Sequence, residues 1–139
     1  MMPIEARDVW RVGLAPLLTL EQLEKLRIAL VTNDKRLEQG VTVLPRVIEE
    51  EDPAEATAAC LIGYCALGEL RRSASIEEWF ADVCYRIDVA MRELREPGRI
   101  SHLLCWFDDT PRAEMRTDLL VEVQRTLAER RADLVNFWE

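Results

Sequence analysis

Between Ala58 and Leu67 every residue except Gly63 is apolar, and this run constrains the fold more than any other feature. A helix that is apolar on all sides has to be covered on all sides, so it sits in the middle of a domain. The start is well marked. Asp52 can cap, Pro53 suits the first helical position, and Glu55 meets the positive end of the dipole. A helix over 53–70 follows. Its small residues, Ala56, Ala59, Cys60, Gly63 and Ala66, let neighbours come close. It is too short and too interrupted to cross a bilayer.

The rest of the chain supplies the cover. Thr19-Leu20-Glu21-Gln22 reads as a capping box. Leu20, Leu23, Leu26, Leu30 and Leu37 then recur at helical spacing, which predicts a helix over 20–31. The longer alternative extends past a weak spot at Thr32-Asn33-Asp34 to Gln39, with Gly40 as its stop. Ser75-Ile76-Glu77-Glu78 is a second capping box. Ile76, Trp79, Phe80, Val83, Cys84, Ile87, Met91 and Leu94 keep a 3.6-residue period, predicting a helix over 76–95. Asp82 with Arg86, and Asp88 with Arg92, stand four apart on its wet side. Ile100, Leu103, Leu104 and Phe107 suggest a short helix. Thr110 as cap and Pro111 at the first position open a last one to about Asp133, lined by Met115, Leu119, Leu120, Val123 and Leu127. Val41–Pro45 is the single β-branched run and reads as an extended connector, because one strand cannot form a sheet.

Residues 1–18 are apolar but contain Gly13 and Pro16, which disfavour a long helix. They are expected as an irregular N-terminal arm on the domain or on a partner. The chain of 139 residues thus reads as one all-α domain of about five helices, with the helical body over 19–139.

The formal charge is −8. Residues 49–110 hold 14 acidic and 6 basic side chains and carry the whole imbalance. Such a balance argues against phosphate-neutralising contact with nucleic acid and against anionic membranes. It leaves an acidic face for a basic partner, or a solvated surface. No basic-then-apolar leader opens the sequence, so a cytoplasmic location is expected.

Chemistry-bearing constellations are weak. Cys60 and Cys65 lie five apart and point to different sides of a helix; no C-x-x-C pair exists, so no metal site is expected. His102 is the sole histidine. It shares a face with Cys105, but that spacing seldom aligns a base with a nucleophile. Glycine-rich phosphate loops are absent, and no cofactor is implied. Among the four tryptophans, Trp79 belongs to a core face, while Trp10 and Trp138 lie near the two ends, where core demand is low. Trp and Arg are enriched at binding hot spots. Trp10 with Arg11, and Phe137 with Trp138, are therefore the candidate contact residues, together with the acidic Glu77, Glu78 and Asp82. The alternative is that both ends tuck against the bundle.

A small acidic helical domain without a catalytic constellation points to binding. The expectation is a protein-interaction or regulatory module, without catalytic activity, that meets a protein partner or a second copy of itself. Two readings compete with it. One is an acidic inhibitor that mimics nucleic-acid charge, which the interspersed Arg86, Arg92 and Arg95 weaken. The other is a ligand-binding protein or enzyme with a pocket between helices, near His102, Tyr64 or Tyr85.

Overall fold

The computed structural model describes residues 1–40, 61–66 and 76–138. Every regular element among them is helical, so the fold is all-α. The connector at Val41–Pro45, the start at Asp52-Pro53, Cys60 and the Ser75 cap lie outside the described residues.

The N-terminal segment is the first departure from expectation. It is helical, with a pitch that changes twice. Helix α1 (Ile4–Asp8) runs into a π-helical stretch at Val9–Leu14 and a 3-10 turn at Ala15–Leu17. Gly13 and Pro16 prevent a long regular helix but not a succession of short turns. The reason lies in packing. Ala6, Val9, Trp10, Leu14, Ala15 and Leu18 are all buried, and the π-helical stretch lies against three helices later in the chain. The wide turn brings Gly13 against Ile87, where a Cβ would stand 2.6 Å from Cγ2. The segment is part of the core, not an arm laid over it.

Helix α2 (Leu20–Thr32) opens with the expected box. Gln22 N–H donates to Thr19 Oγ1 at 3.1 Å, and Thr19 N–H donates to Gln22 Oε1 at 2.9 Å. It ends at the weak spot rather than at Gly40, because Asn33 takes the left-handed conformation (φ 55°). The freed carbonyls at this end do not face water alone. Arg116 donates to Leu30 O and Val31 O at 2.8 and 3.1 Å. Arg112 donates to Asn33 Oδ1, Leu37 O and Asp34 O at 2.6, 2.9 and 3.0 Å. Two guanidinium groups at the negative end of a helix satisfy both its orphan acceptors and its dipole.

The central apolar run is described over helix α3 (Leu61–Ala66). Leu61, Ile62, Tyr64 and Cys65 are at most 2% exposed, as a helix needing cover on all sides requires. Helix α4 (Ile76–Glu93) buries Val83, Ile87 and Met91. Leu94, expected on that stripe, is 59% exposed, since the helix stops before it. Tyr85, named above as a residue near a pocket between helices, is exposed. Asp88 makes no i, i+4 pair with Arg92. It accepts from Ile100 N–H at 2.8 Å and so caps helix α5 (Ile100–Asp109) from a neighbouring helix.

Helix α6 (Arg112–Trp138) outruns its expected end. Thr110 does not cap it: its hydroxyl donates back to Trp106 O in α5. Met115, Leu119, Val123 and Leu127 form its buried stripe, against which α2 lies lengthwise. Helix α1 lies on α5, and α3 bridges α2 and α4.

Candidate functional site

The structure separates the expected contact residues. Trp10 is fully buried, and its Nε1–H donates to Thr126 Oγ1 at 3.1 Å. It offers no surface to a partner. Core demand is high at this end of the chain because the π-helical stretch runs through the interior. Arg11 clamps a buried carboxylate: Nε and Nη2 donate to Glu122 Oε1 and Oε2 at 2.7 and 3.0 Å. Glu122 has only 8% of its side chain exposed, and Arg11 has 35%. The pair binds the N-terminal segment to α6.

The acidic candidates lie on α4. Glu78 is exposed. Asp82 is paired with Arg86 at 3.0 Å, so its charge is met on the same helix. Phe137 and Trp138 stand on the last turn of α6; their side chains and that of Glu77 lie outside the described ones. Trp10 is thus in the core, and Arg11, partly exposed, is held to Glu122.

A different surface forms at the end of α6. Leu127 is its last buried residue among the described side chains. The helix goes on to Trp138, about three further turns. Ala128, Glu129 and the run from Arg131 to Val135 are exposed. Leu134 and Val135 are 50% and 57% exposed, and Leu17 and Leu20 at the foot of α2 are 42% and 38%. Leu20 and Leu134 share a cleft of about 390 Å³ with Arg130 and Asp133. Arg130 fixes its floor by donating to Leu18 O and Ala15 O. Arg131 reaches Glu24 across α2 at 3.4 Å. The base of the overhang is therefore tied down by guanidinium groups while its apolar side chains stay in water. Sequence reasoning placed the apolar end of α6 but missed Leu17 and Leu20, which fit the N-terminal and α2 core patterns.

A polar network joins α2 and α3. Tyr64 O–H donates to Asp34 Oδ2 at 2.9 Å, and Arg36 Nη2 donates to the same oxygen at 2.8 Å. Hydrogen bonds from the Arg36 side chain, then from its backbone and from Tyr64, hold the Asp34 carboxyl far below the usual carboxylate range. Burial first, and the bond to Asp34 second, push the Tyr64 phenol up to about 12. Gln22 Nε2 donates to Cys65 O at 3.2 Å beside it. Each group has a partner within the fold, and the network reads as a brace.

His102 lies at the start of α5. Its Nδ1 accepts from Arg99 N–H at 2.9 Å, which places the proton of the neutral ring on Nε2. Cys105 is exposed, Cys84 half-buried and Cys65 buried. Among the described residues no three His, Cys, Asp or Glu side chains sit together in a way that could hold a metal ion. No helix among them is long and apolar enough to cross a membrane. Comparison with family models, with curated proteins and with solved structures gave no match.

Proposed function

We propose that this chain is a protein-interaction module that associates with a second copy of itself through the overhanging end of α6. The observation that carries this reading is the three-turn continuation of α6 past Leu127, with Leu134 and Val135 exposed and Leu134 sharing a cleft with the exposed Leu20. Beyond the Arg130 and Arg131 contacts this end has no buried side chain among the described residues, and isolated helical turns are marginal in water. A surface of the same composition on a second copy supplies the missing cover, and a two-fold arrangement brings the same patch from both sides. An acidic inhibitor mimicking nucleic acid fits less well, because Asp82 is neutralised by Arg86 on its own helix.

Light scattering over a wide concentration range tests this. The wild-type chain is expected as a dimer that persists at high salt, since an apolar interface is not screened. Leu134→Asp with Val135→Asp is expected to give a folded monomer, both positions being exposed. A wild-type monomer at all concentrations would overturn self-association. Removing residues 1–18 is not a usable probe of the interface, since the deletion takes Trp10 and Leu14 out of the core.

A further inference from the structure

The groove between α1 and α5 is chemically unlike the rest of the surface. His102, Cys105, Trp106 and Asp109 recur at i, i+3, i+4 and i+7 and so share one side of α5. The other side is core, with Ile100, Leu103 and Phe107 buried. Glu5 and Ala6 of α1 form the facing wall of a cleft of about 440 Å³. Its lining contains two carboxylates and an indole, and no lysine or arginine. Neither Glu5 nor Asp109 has an ion pair or a side-chain hydrogen bond among the described residues. The contrast with the cleft between the 3-10 turn and α6 is sharp. There Arg11 meets Glu122, Arg125 meets Glu129 and Arg130 donates to Leu18 O and Ala15 O, so each cation already has its acceptors.

From this arrangement we infer that the α1/α5 cleft receives an arginine side chain from a basic peptide segment of a partner protein. A guanidinium stacks on an indole and pairs with carboxylates in its own plane, and one cleft here holds both kinds of group. Trp106 is the half-buried wall, and Glu5 and Asp109 are the exposed anions at the rim. His102 adds direction. With Nδ1 occupied by Arg99 N–H, its Nε2–H is the donor left for a peptide carbonyl. The net charge of −8 draws such a segment in. The cleft shares no lining residue with the α6 overhang, so the inference stands apart from self-association and is tested apart from it.

The sole histidine makes the test direct. The imidazole C–H signals of His102 are free of overlap from any other histidine in a proton NMR spectrum. The probe is the capped peptide acetyl-Gly-Arg-Arg-Gly-amide, titrated at physiological salt. A second probe carries citrulline in place of both arginines, keeping shape while removing charge. The arginine peptide is expected to shift the His102 signals saturably. The Glu5→Gln, Asp109→Asn double variant is expected to weaken binding at least tenfold while keeping its helical circular dichroism. Trp106→Leu is expected to weaken it several-fold. No saturable shift would overturn the proposal. So would equal binding of the citrulline peptide, or unchanged affinity in the double variant.

Discussion

Gly98 offers the most direct test of how the N-terminal segment is held, because it stands where three elements meet. A Cβ at this position would lie 2.8 Å from Val9 Cγ2, 3.0 Å from Glu5 O and 3.2 Å from Met91 Cε. Ordinary carbon contacts begin at ~3.5 Å. The Met91 thioether can adapt, since methionine is the most pliable of core residues. The other two contacts cannot. Val9 is fully buried, and Glu5 O already accepts from Val9 N–H, so moving it moves α1. Overpacking of this kind costs ~1–3 kcal/mol. Opposing it, alanine removes ~0.4–1 kcal/mol of unfolded-state entropy. Gly98→Ala is therefore expected to destabilise by about 1–2 kcal/mol. Urea titration followed by circular dichroism should show a lower midpoint with an unchanged slope. Gly40→Ala is the control: its φ is +81° and, among the described residues, nothing lies within 4 Å of the added carbon. Its cost of ~1–2 kcal/mol comes from the backbone alone. Adding Val9→Ala should relieve the clash, so Gly98→Ala should cost less in that background than in the wild type. A Gly98→Ala protein within about 0.5 kcal/mol of wild type, or strict additivity with Val9→Ala, would refute the packing argument.

Two further outcomes follow from the polar contacts. Arg11→Met strands the buried Glu122 carboxylate and is expected to cost ~1–3 kcal/mol. Glu122→Leu leaves Arg11 with access to water and should cost less; the reverse order in chemical denaturation would show that the pair is not what ties the N-terminal segment to α6. Tyr64 titrates near 12 in the fold against an ordinary 10.0, so its contribution is complete below pH 10 and is lost as the pH rises towards 12. Asp34, whose carboxyl is depressed, acts in the opposite sense: its contribution holds above pH ~4 and fades as the pH falls below that. Tyr64→Phe should flatten the alkaline limb of stability against pH and weaken the acid limb only in part, since the Arg36 bonds to Asp34 remain. An unchanged alkaline limb would mean the phenol is not braced against Asp34.

Local features were legible in the sequence, and distant ones were not. The Thr19/Gln22 box, the helix at 76–93 and the stripe from Met115 to Leu127 depend on residues within one or two turns of each other. Their spacing contains the information. The stop of α2 at Asn33 was visible as a weak spot, but its strength comes from Arg112 and Arg116, about 80 positions away in the chain. Leu94 shows a smaller failure of the same kind: periodicity continues through it, while the helix ends at Glu93.

Trp10 carries the more general lesson. A tryptophan beside an arginine near one end of a chain has the composition of a binding hot spot. The same two residues also suit an interior corner. Trp10 fills volume and spends its one N–H on Thr126, and Arg11 neutralises the one buried carboxylate of α6. Which role they take is decided by whether the backbone can bring Gly13 up against Ile87, and that contact spans 74 positions in sequence. Once residues 1–18 are spent on the core, the apolar residues left in water include Leu134 and Val135 beyond the last packed turn of α6, and Leu17 and Leu20 near the start of α2. The cleft beside Trp106 arises in the same way, since α1 covers one flank of α5 and leaves Trp106 and Asp109 lining a cleft with Glu5. Both candidate surfaces are thus borders of the N-terminal segment. A substitution that loosens this segment, such as Gly98→Ala, should reach the two surfaces through the fold, whereas Leu134→Asp and Asp109→Asn should each affect only their own.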